Sequence, residues 1–163
     1  MSFPFLLFIL GIVLAVQTTF VDYFTVFETK PDLVMLFVVF SGFLLGPKEG
    51  AFLGFAGGII VDLYMGSYIG LNALTLMTAG VLAGICGERL YKESSLIAAG
   101  VTFLSATVSW LVNYLLLRYL GVRIPFVYSV TQIILPAAIY TSILVPFFYL
   151  RIVRSLIVKT QEP

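Results

Sequence analysis

The sequence lacks histidine altogether and contains a single cysteine in 163 residues. It therefore has neither the commonest general base nor a histidine-ligated metal site, and one cysteine cannot form an internal disulfide. Charge is also scarce, because Asp, Glu, Lys and Arg make up only 10% of the chain and nearly cancel to a net +1. We therefore expect no enzymatic activity, no catalytic residue, no cofactor or metal site, and no nucleic-acid partner, which would need a basic surface.

Hydrophobic residues account for 61% of the chain, and the mean hydropathy is +1.11. A lipid bilayer is the environment that suits such a composition, because about 20 apolar helical residues cross its hydrocarbon core. The charge-free runs predict an all-α integral membrane protein, with one domain over residues 1–163 built as a bundle of six transmembrane helices. The predicted spans lie near residues 3–21, 31–46, 49–65, 70–87, 95–118 and 126–150.

The second and third predicted helices are short for membrane spans, and a re-entrant hairpin is the alternative for this pair. Either count is even, which places both termini on one side of the membrane. Six of the nine Lys and Arg lie on the side of the termini, and three lie on the other. Because Lys and Arg are enriched in short cytoplasmic loops, we expect both termini in the cytoplasm.

A row of small residues spaced four apart runs along the third helix. Gly50, Gly54 and Gly58 continue by the same step to Asp62, and Gly66 and Gly70 follow at that spacing. Small residues at this interval let helix backbones approach closely in lipid. The row predicts either tight packing within the chain or an interface with a partner helix, and we extend the candidate surface to Asn72.

Asp62 is the one acid that falls within the apolar part of a predicted span. Burying a carboxylate in a membrane is costly, so it needs hydrogen-bond donors or a functional role. Three interpretations remain open for it. They are structural hydrogen bonding to Ser67, Asn72 or a helix N-terminus, recognition of a ligand or partner, and proton relay.

Two sites have the residue types of caps and turns. Asp32 follows Pro31 at the start of the second helix, where a carboxylate satisfies free backbone N–H groups. Gly46 and Pro47 form a sharp turn, and Pro47 is suited to begin the third helix.

Two later helices also contain features that need a structural explanation. Pro136 is expected to kink the last helix, because it has no N–H to donate. The fifth helix carries hydroxyl and amide side chains on one face, and these predict a polar seam against its neighbours. The seam consists of Thr102, Ser105, Ser109 and Asn113.

The stretch from Pro31 to Gly84 resembles the core of the MreD family of rod-shape-determining membrane proteins. The resemblance rests on the order and spacing of short motifs. They are Pro31-Asp32-Leu33, Gly46-Pro47, Glu49-Gly50, Gly54-Phe55, Gly57, Asp62, Gly66-Ser67, and Gly70 followed by Asn72-Ala73-Leu74.

The resemblance implies a non-enzymatic scaffold of the bacterial cell-elongation machinery in the cytoplasmic membrane. It implies direct binding to MreC, with MreB, RodA and a class B penicillin-binding transpeptidase in the same assembly of peptidoglycan synthesis. A homo-oligomer is left open. The family is also similar in fold to the S components of energy-coupling-factor transporters, so the alternative function is that of a vitamin-binding S component.

Overall fold

The computed structural model describes residues 3–20, 23, 32–66 and 68–160, with side chains described from Pro4 to Arg151 within these ranges. The described residues form helices and no strand. The first five helices are α1 (Phe3–Phe20), α2 (Leu33–Leu45), α3 (Pro47–Met65), α4 (Leu71–Arg89) and α5 (Ser95–Tyr119). The sixth, α6, begins with Phe126–Tyr128, is π-helical over Ser129–Ile134 and continues as an α-helix over Leu135–Thr160.

Three of the six helices are long and apolar enough to cross a membrane. They are α4, α5 and the Phe126–Arg151 part of α6. The apolar part of α1 and the whole of α2 are shorter. The 19 residues of α3 include three charged ones, Lys48, Glu49 and Asp62. Six helices thus fit the predicted bundle.

The helix bounds differ from the predicted spans by one or two residues at several ends and by ten residues at the end of the last helix. The third helix begins at Pro47 and not at residue 49, because proline takes the first helical position, where an N–H is not needed. The last helix continues beyond residue 150 to Thr160. The charged residues that begin at Arg151 end the apolar run, but no glycine or proline lies between Arg151 and Thr160 to end the helix.

The shortest helix, α2, lies at the centre of the bundle. It packs against each of the other five helices, and its residues from Val34 to Phe43 are buried with the exception of a half-buried Phe37. This explains why α2 is apolar on every face and has no amphipathic stripe. Its 13 residues extend about 20 Å, which is less than the roughly 30 Å of a hydrocarbon core.

The bundle has two ends, which we call the Asp62 end and the Pro47 end. The Asp62 end carries the N-termini of α2, α4 and α6 and the C-termini of α1, α3 and α5. At the Pro47 end, the Lys92 ammonium donates to the Leu44 carbonyl at 3.0 Å, and the Tyr149 hydroxyl donates to the Lys92 carbonyl. These bonds join the α4–α5 loop to α2 and α6.

The region of the predicted kink in α6 contains a π-helical segment. It covers Ser129–Ile134 and ends two residues before Pro136. A π turn widens the helix by one residue, and such turns occur where the regular ladder of hydrogen bonds is interrupted. Next to Pro136, the helix therefore changes from α to π and back to α, and the chain remains helical throughout.

Candidate functional site

The glycine row of α3 lies directly against the backbone of α4. A Cβ atom added at Gly50, Gly54 or Gly58 would lie 2.4, 2.4 or 2.2 Å from the nearest α4 backbone atom. These distances are far shorter than any normal carbon contact, so only glycine allows this approach. The row is therefore covered along its length by a helix of the same chain.

The helix α4 contributes matching glycines to this contact. A Cβ atom on Gly80 would lie 2.1 Å from the Gly50 carbonyl oxygen, and one on Gly42 of α2 would lie 2.3 Å from the Gly80 carbonyl oxygen. Gly84 and Gly87 meet backbone atoms of α3 and α2 at the Pro47 end in the same way. The helices α2, α3 and α4 thus form one block with direct backbone contacts.

Asp62 lies at the end of the glycine row and is fully buried. Its Oδ2 accepts the backbone N–H of Gly70 at 2.8 Å and that of Ala73 at 3.3 Å. Its Oδ1 accepts the backbone N–H of Asn72 at 3.1 Å and the Asn72 side-chain amide at 2.9 Å. We call these four residues the Asp62 clamp, because one carboxylate of α3 satisfies the free N–H groups that begin α4.

The clamp combines hydrogen bonding with charge. The first N–H groups of a helix have no partner within the helix, and its N-terminus carries a partial positive charge. Gly70 occupies the N-cap position and has no side chain to accept these bonds. Asp62 supplies both the acceptor and the negative charge from a neighbouring helix, which accounts for a carboxylate at a buried position.

Two glycines form the turn that brings the start of α4 next to the Asp62 carboxylate. Gly66 ends α3 in a left-handed conformation with φ of 63°, and its N–H donates to the Asp62 carbonyl at 3.0 Å. Gly70 has φ of 101°, which also favours glycine. Ser67, a donor named from the sequence, lies outside the described residues.

An exposed apolar surface surrounds this turn. The side chains of Tyr64 and Ile69 are 70% and 71% exposed, respectively, and their neighbours are exposed as well. We call this surface the loop patch, and it consists of Leu63, Tyr64, Met65, Tyr68 and Ile69. The Asp62 clamp fixes the helix ends on both sides of the patch.

The start of α2 is capped by two side chains. Asp32 Oδ1 accepts the N–H of Met35 at 2.9 Å, and Gln17 Oε1 of α1 accepts the N–H of Val34 at 2.9 Å. Sequence reasoning identified Asp32 but missed Gln17. The signal for Gln17 was its position as a lone amide in an apolar helix, where such groups need partners. Pro31 lies outside the described residues.

The single-residue turn between α2 and α3 is formed by Gly46. Its φ is 122°, its N–H donates to the Gly42 carbonyl at 2.8 Å, and Pro47 begins α3 immediately after it. The positive φ explains glycine at this position. The turn therefore holds the neighbouring ends of α2 and α3 together.

The polar face of α5 is buried, but most of its bonds stay within that helix. Thr102 and Ser109 donate to carbonyls one turn earlier. Only Asn113 bonds across a helix interface, since its amide donates to Thr75 Oγ1 of α4 at 3.0 Å. Ser105 Oγ has no hydrogen-bond partner among the described residues.

A cavity of about 660 Å³ opens at the Asp62 end, beside the loop between α5 and α6. Sequence reasoning treated its two arginines only as charges that help to set orientation. The lining residues are Tyr114, Arg118, Gly121, Arg123, Ile124, Pro125 and Phe126.

Comparison with known proteins finds one family for almost the whole chain. A family model described as rod shape-determining protein MreD matches residues 1–156. No curated protein and no solved structure matches the chain. The family match extends well beyond the stretch from Pro31 to Gly84 that carries the sequence resemblance.

Proposed function

The chain belongs to the MreD family, and from this membership we propose that it is a non-enzymatic scaffold of the bacterial cell-elongation machinery. Family membership supports a role in rod-shape determination, and the three long apolar helices support a membrane protein. The match over residues 1–156 is the observation that carries the proposal. We place the protein in the cytoplasmic membrane.

We propose that the Pro47 end faces the cytoplasm together with both termini. The excess of Lys and Arg on that side supports this orientation. The alternative for α2 and α3 is a re-entrant hairpin. However, α3 packs along α4, which is long enough to cross the membrane, from Gly58 at one end to Pro47 at the other. This packing supports two antiparallel spans. The loop patch then lies on the outer side of the membrane.

The loop patch is the surface we propose for direct contact with MreC. The resemblance also implies that MreC has one membrane helix and a large outer domain, so its juxtamembrane segment would lie at the level of this patch. Two tyrosines and three aliphatic side chains provide the aromatic and apolar anchors that dominate binding energies. MreB, RodA and the class B transpeptidase would join the assembly through MreC.

The glycine row has a different place in this proposal. Gly50, Gly54 and Gly58 are covered by α4, so they serve folding and not contact with a partner. Asp62 belongs to the same interior and holds the patch in position through the clamp. A partner therefore meets the outer surface of the turn, while the packing contacts of the glycine row and Asp62 stay beneath it.

Co-purification with MreC tests the proposed surface. The double variant Tyr64→Ser, Ile69→Ser removes two anchors, and we expect a loss of at least about tenfold in recovered MreC, since 1.4 kcal/mol corresponds to tenfold in affinity. The matched control is Tyr91→Ser, Leu96→Ser at the Pro47 end, where both side chains are 83% exposed. Equal MreC recovery from both variants would refute the patch as the contact.

Depletion in cells tests the broader function. A scaffold of the elongation machinery predicts that rod-shaped cells become round when the protein is depleted. Purification from the same membranes distinguishes the transporter alternative. Normal shape after deletion, together with a stoichiometric vitamin bound to the purified protein, would overturn the scaffold proposal.

A further inference from the structure

The cavity at the Asp62 end combines positive charge with an apolar wall. Arg118 and Arg123 line it together with Tyr114, Ile124 and Phe126. Its volume of about 660 Å³ lies within the range of roughly 300–1,000 Å³ typical of ligand sites. A ligand that fits this lining carries an anionic group next to an apolar part.

The loop that forms the cavity is held in one conformation. The Tyr114 hydroxyl donates to the Ile124 carbonyl at 3.0 Å, and the Tyr114 ring packs edge-on against Phe126 with centroids 5.6 Å apart. Gly121 reverses the chain with φ of 89°, and its N–H donates to the Arg118 carbonyl at 3.1 Å. The two arginines therefore project from a fixed frame.

Neither arginine is neutralised by a described residue. The described acids at this end of the bundle are Asp32 and Asp62, and both carboxylates accept backbone N–H groups at helix starts. Arg118 lies in the last turn of α5, where the helix dipole favours a cation. Arg123 lies beyond that helix, so the dipole does not account for it.

We propose that this cavity binds a phosphate group, carried by the headgroup of a membrane lipid. Arginine presents a planar fork of N–H donors that matches phosphate oxygens, and two arginines at one cavity match a single phosphate. Tyr114, Ile124 and Phe126 then contact the glycerol and upper acyl region. This site goes beyond the scaffold function and does not depend on it.

Native mass spectrometry of the full-length protein in detergent tests the site. The lipid probe is phosphatidylglycerol, and the comparison lipid is a phosphate-free glycolipid with the same acyl chains. Arg118→Gln, Arg123→Gln is expected to weaken phosphatidylglycerol binding at least tenfold and to leave glycolipid binding unchanged. The matched control, Arg89→Gln, Arg151→Gln, replaces two exposed arginines at the Pro47 end and should change binding less than twofold.

A second arm separates lipid phosphate from free phosphate. Excess inorganic phosphate is added to the wild-type protein before the lipid. Retention of the lipid on the protein supports a site for the lipid headgroup. Displacement of the lipid supports a site for free phosphate instead, provided that phosphate binds to wild type and not to the glutamine variant. Equal phosphatidylglycerol binding by the glutamine variant and its control would overturn the proposal.

A further variant guards against misfolding of the glutamine variant. Arg118→Lys, Arg123→Lys keeps both charges but loses the planar fork, so its affinity should fall between wild type and the glutamine variant. Unchanged size-exclusion elution confirms that each variant is folded. If a folded lysine variant binds phosphatidylglycerol as tightly as wild type, recognition by the planar guanidinium fork is refuted.

Discussion

Replacement of Gly58 by alanine tests the backbone contact on which the α3–α4 pair is built. The added Cβ would lie 2.2 Å from Ala73 Cα, whereas ordinary carbon contacts begin near 3.4 Å. The helices must therefore separate by about 1.2 Å at this level. The nearest atoms belong to the backbone, so no side-chain rotation relieves the contact.

The cost of this separation follows from the neighbouring Asp62 clamp. Overpacking alone costs about 1–3 kcal/mol. Ala73 donates to Asp62 at 3.3 Å, so a shift of a few tenths of an ångström removes that bond, at about 1.5–3 kcal/mol for a charged acceptor. Alanine regains about 1 kcal/mol of helix propensity. The expected net loss is roughly 1.5–5 kcal/mol of unfolding free energy.

The assay is unfolding by SDS in mixed detergent micelles, followed by fluorescence of Trp110, the only tryptophan in the sequence. Gly100→Ala is the matched control, because a Cβ at this α5 position has no described atom within 4 Å apart from its chain neighbours and the nearby backbone of its own helix. It should stabilise the protein by about 0.5–1 kcal/mol through helix propensity. The two glycine-to-alanine changes are therefore expected to have opposite signs. Equal or greater stability of Gly58→Ala than of Gly100→Ala would refute the backbone contact.

The remaining predictions concern two buried polar groups. Asp62→Asn should destabilise the protein by at least about 3 kcal/mol in the same assay. Each carboxylate oxygen of Asp62 accepts two N–H groups. The NH₂ group of asparagine replaces one of these oxygens and cannot accept, so two of the four N–H donors lose their acceptor. A stability equal to wild type would show that the clamp is not needed. Asn113→Leu should cost about 0.6–1.7 kcal/mol through its bond to Thr75. A double-mutant cycle with Thr75→Val checks this value, and zero coupling would contradict the bond.

The helices and most of their ends could be predicted from the sequence, because charges and glycines mark where apolar runs stop. Prediction failed where the sequence pattern changes but the helix does not end. The apolar run stops at Arg151, yet the helix continues to Thr160. The π turn over Ser129–Ile134 likewise has no signal of its own beyond the nearby Pro136.

The packing partners could not be predicted, because spacing along one helix does not identify the surface opposite. The row of Gly50, Gly54 and Gly58 predicted close contact but left open whether α4 or another protein supplied it. Asp62 bonds to residues 8–11 positions later, which come together only after the turn at Gly66 and Gly70 has formed. Pairing of Asn113 with Thr75 is equally a result of tertiary structure.

The backbone contacts among α2, α3 and α4 have a mechanical consequence. A helix interface filled by long side chains absorbs a small displacement through rotamer changes, but a contact of glycine backbones has no such compliance. A force applied to the loop patch is therefore transmitted along α3 as the movement of a rigid rod, over about 28 Å for 19 residues. The one-residue turn at Gly46 passes that movement directly to α2. A partner that pulls on the loop patch would thus displace the Pro47 end of the bundle.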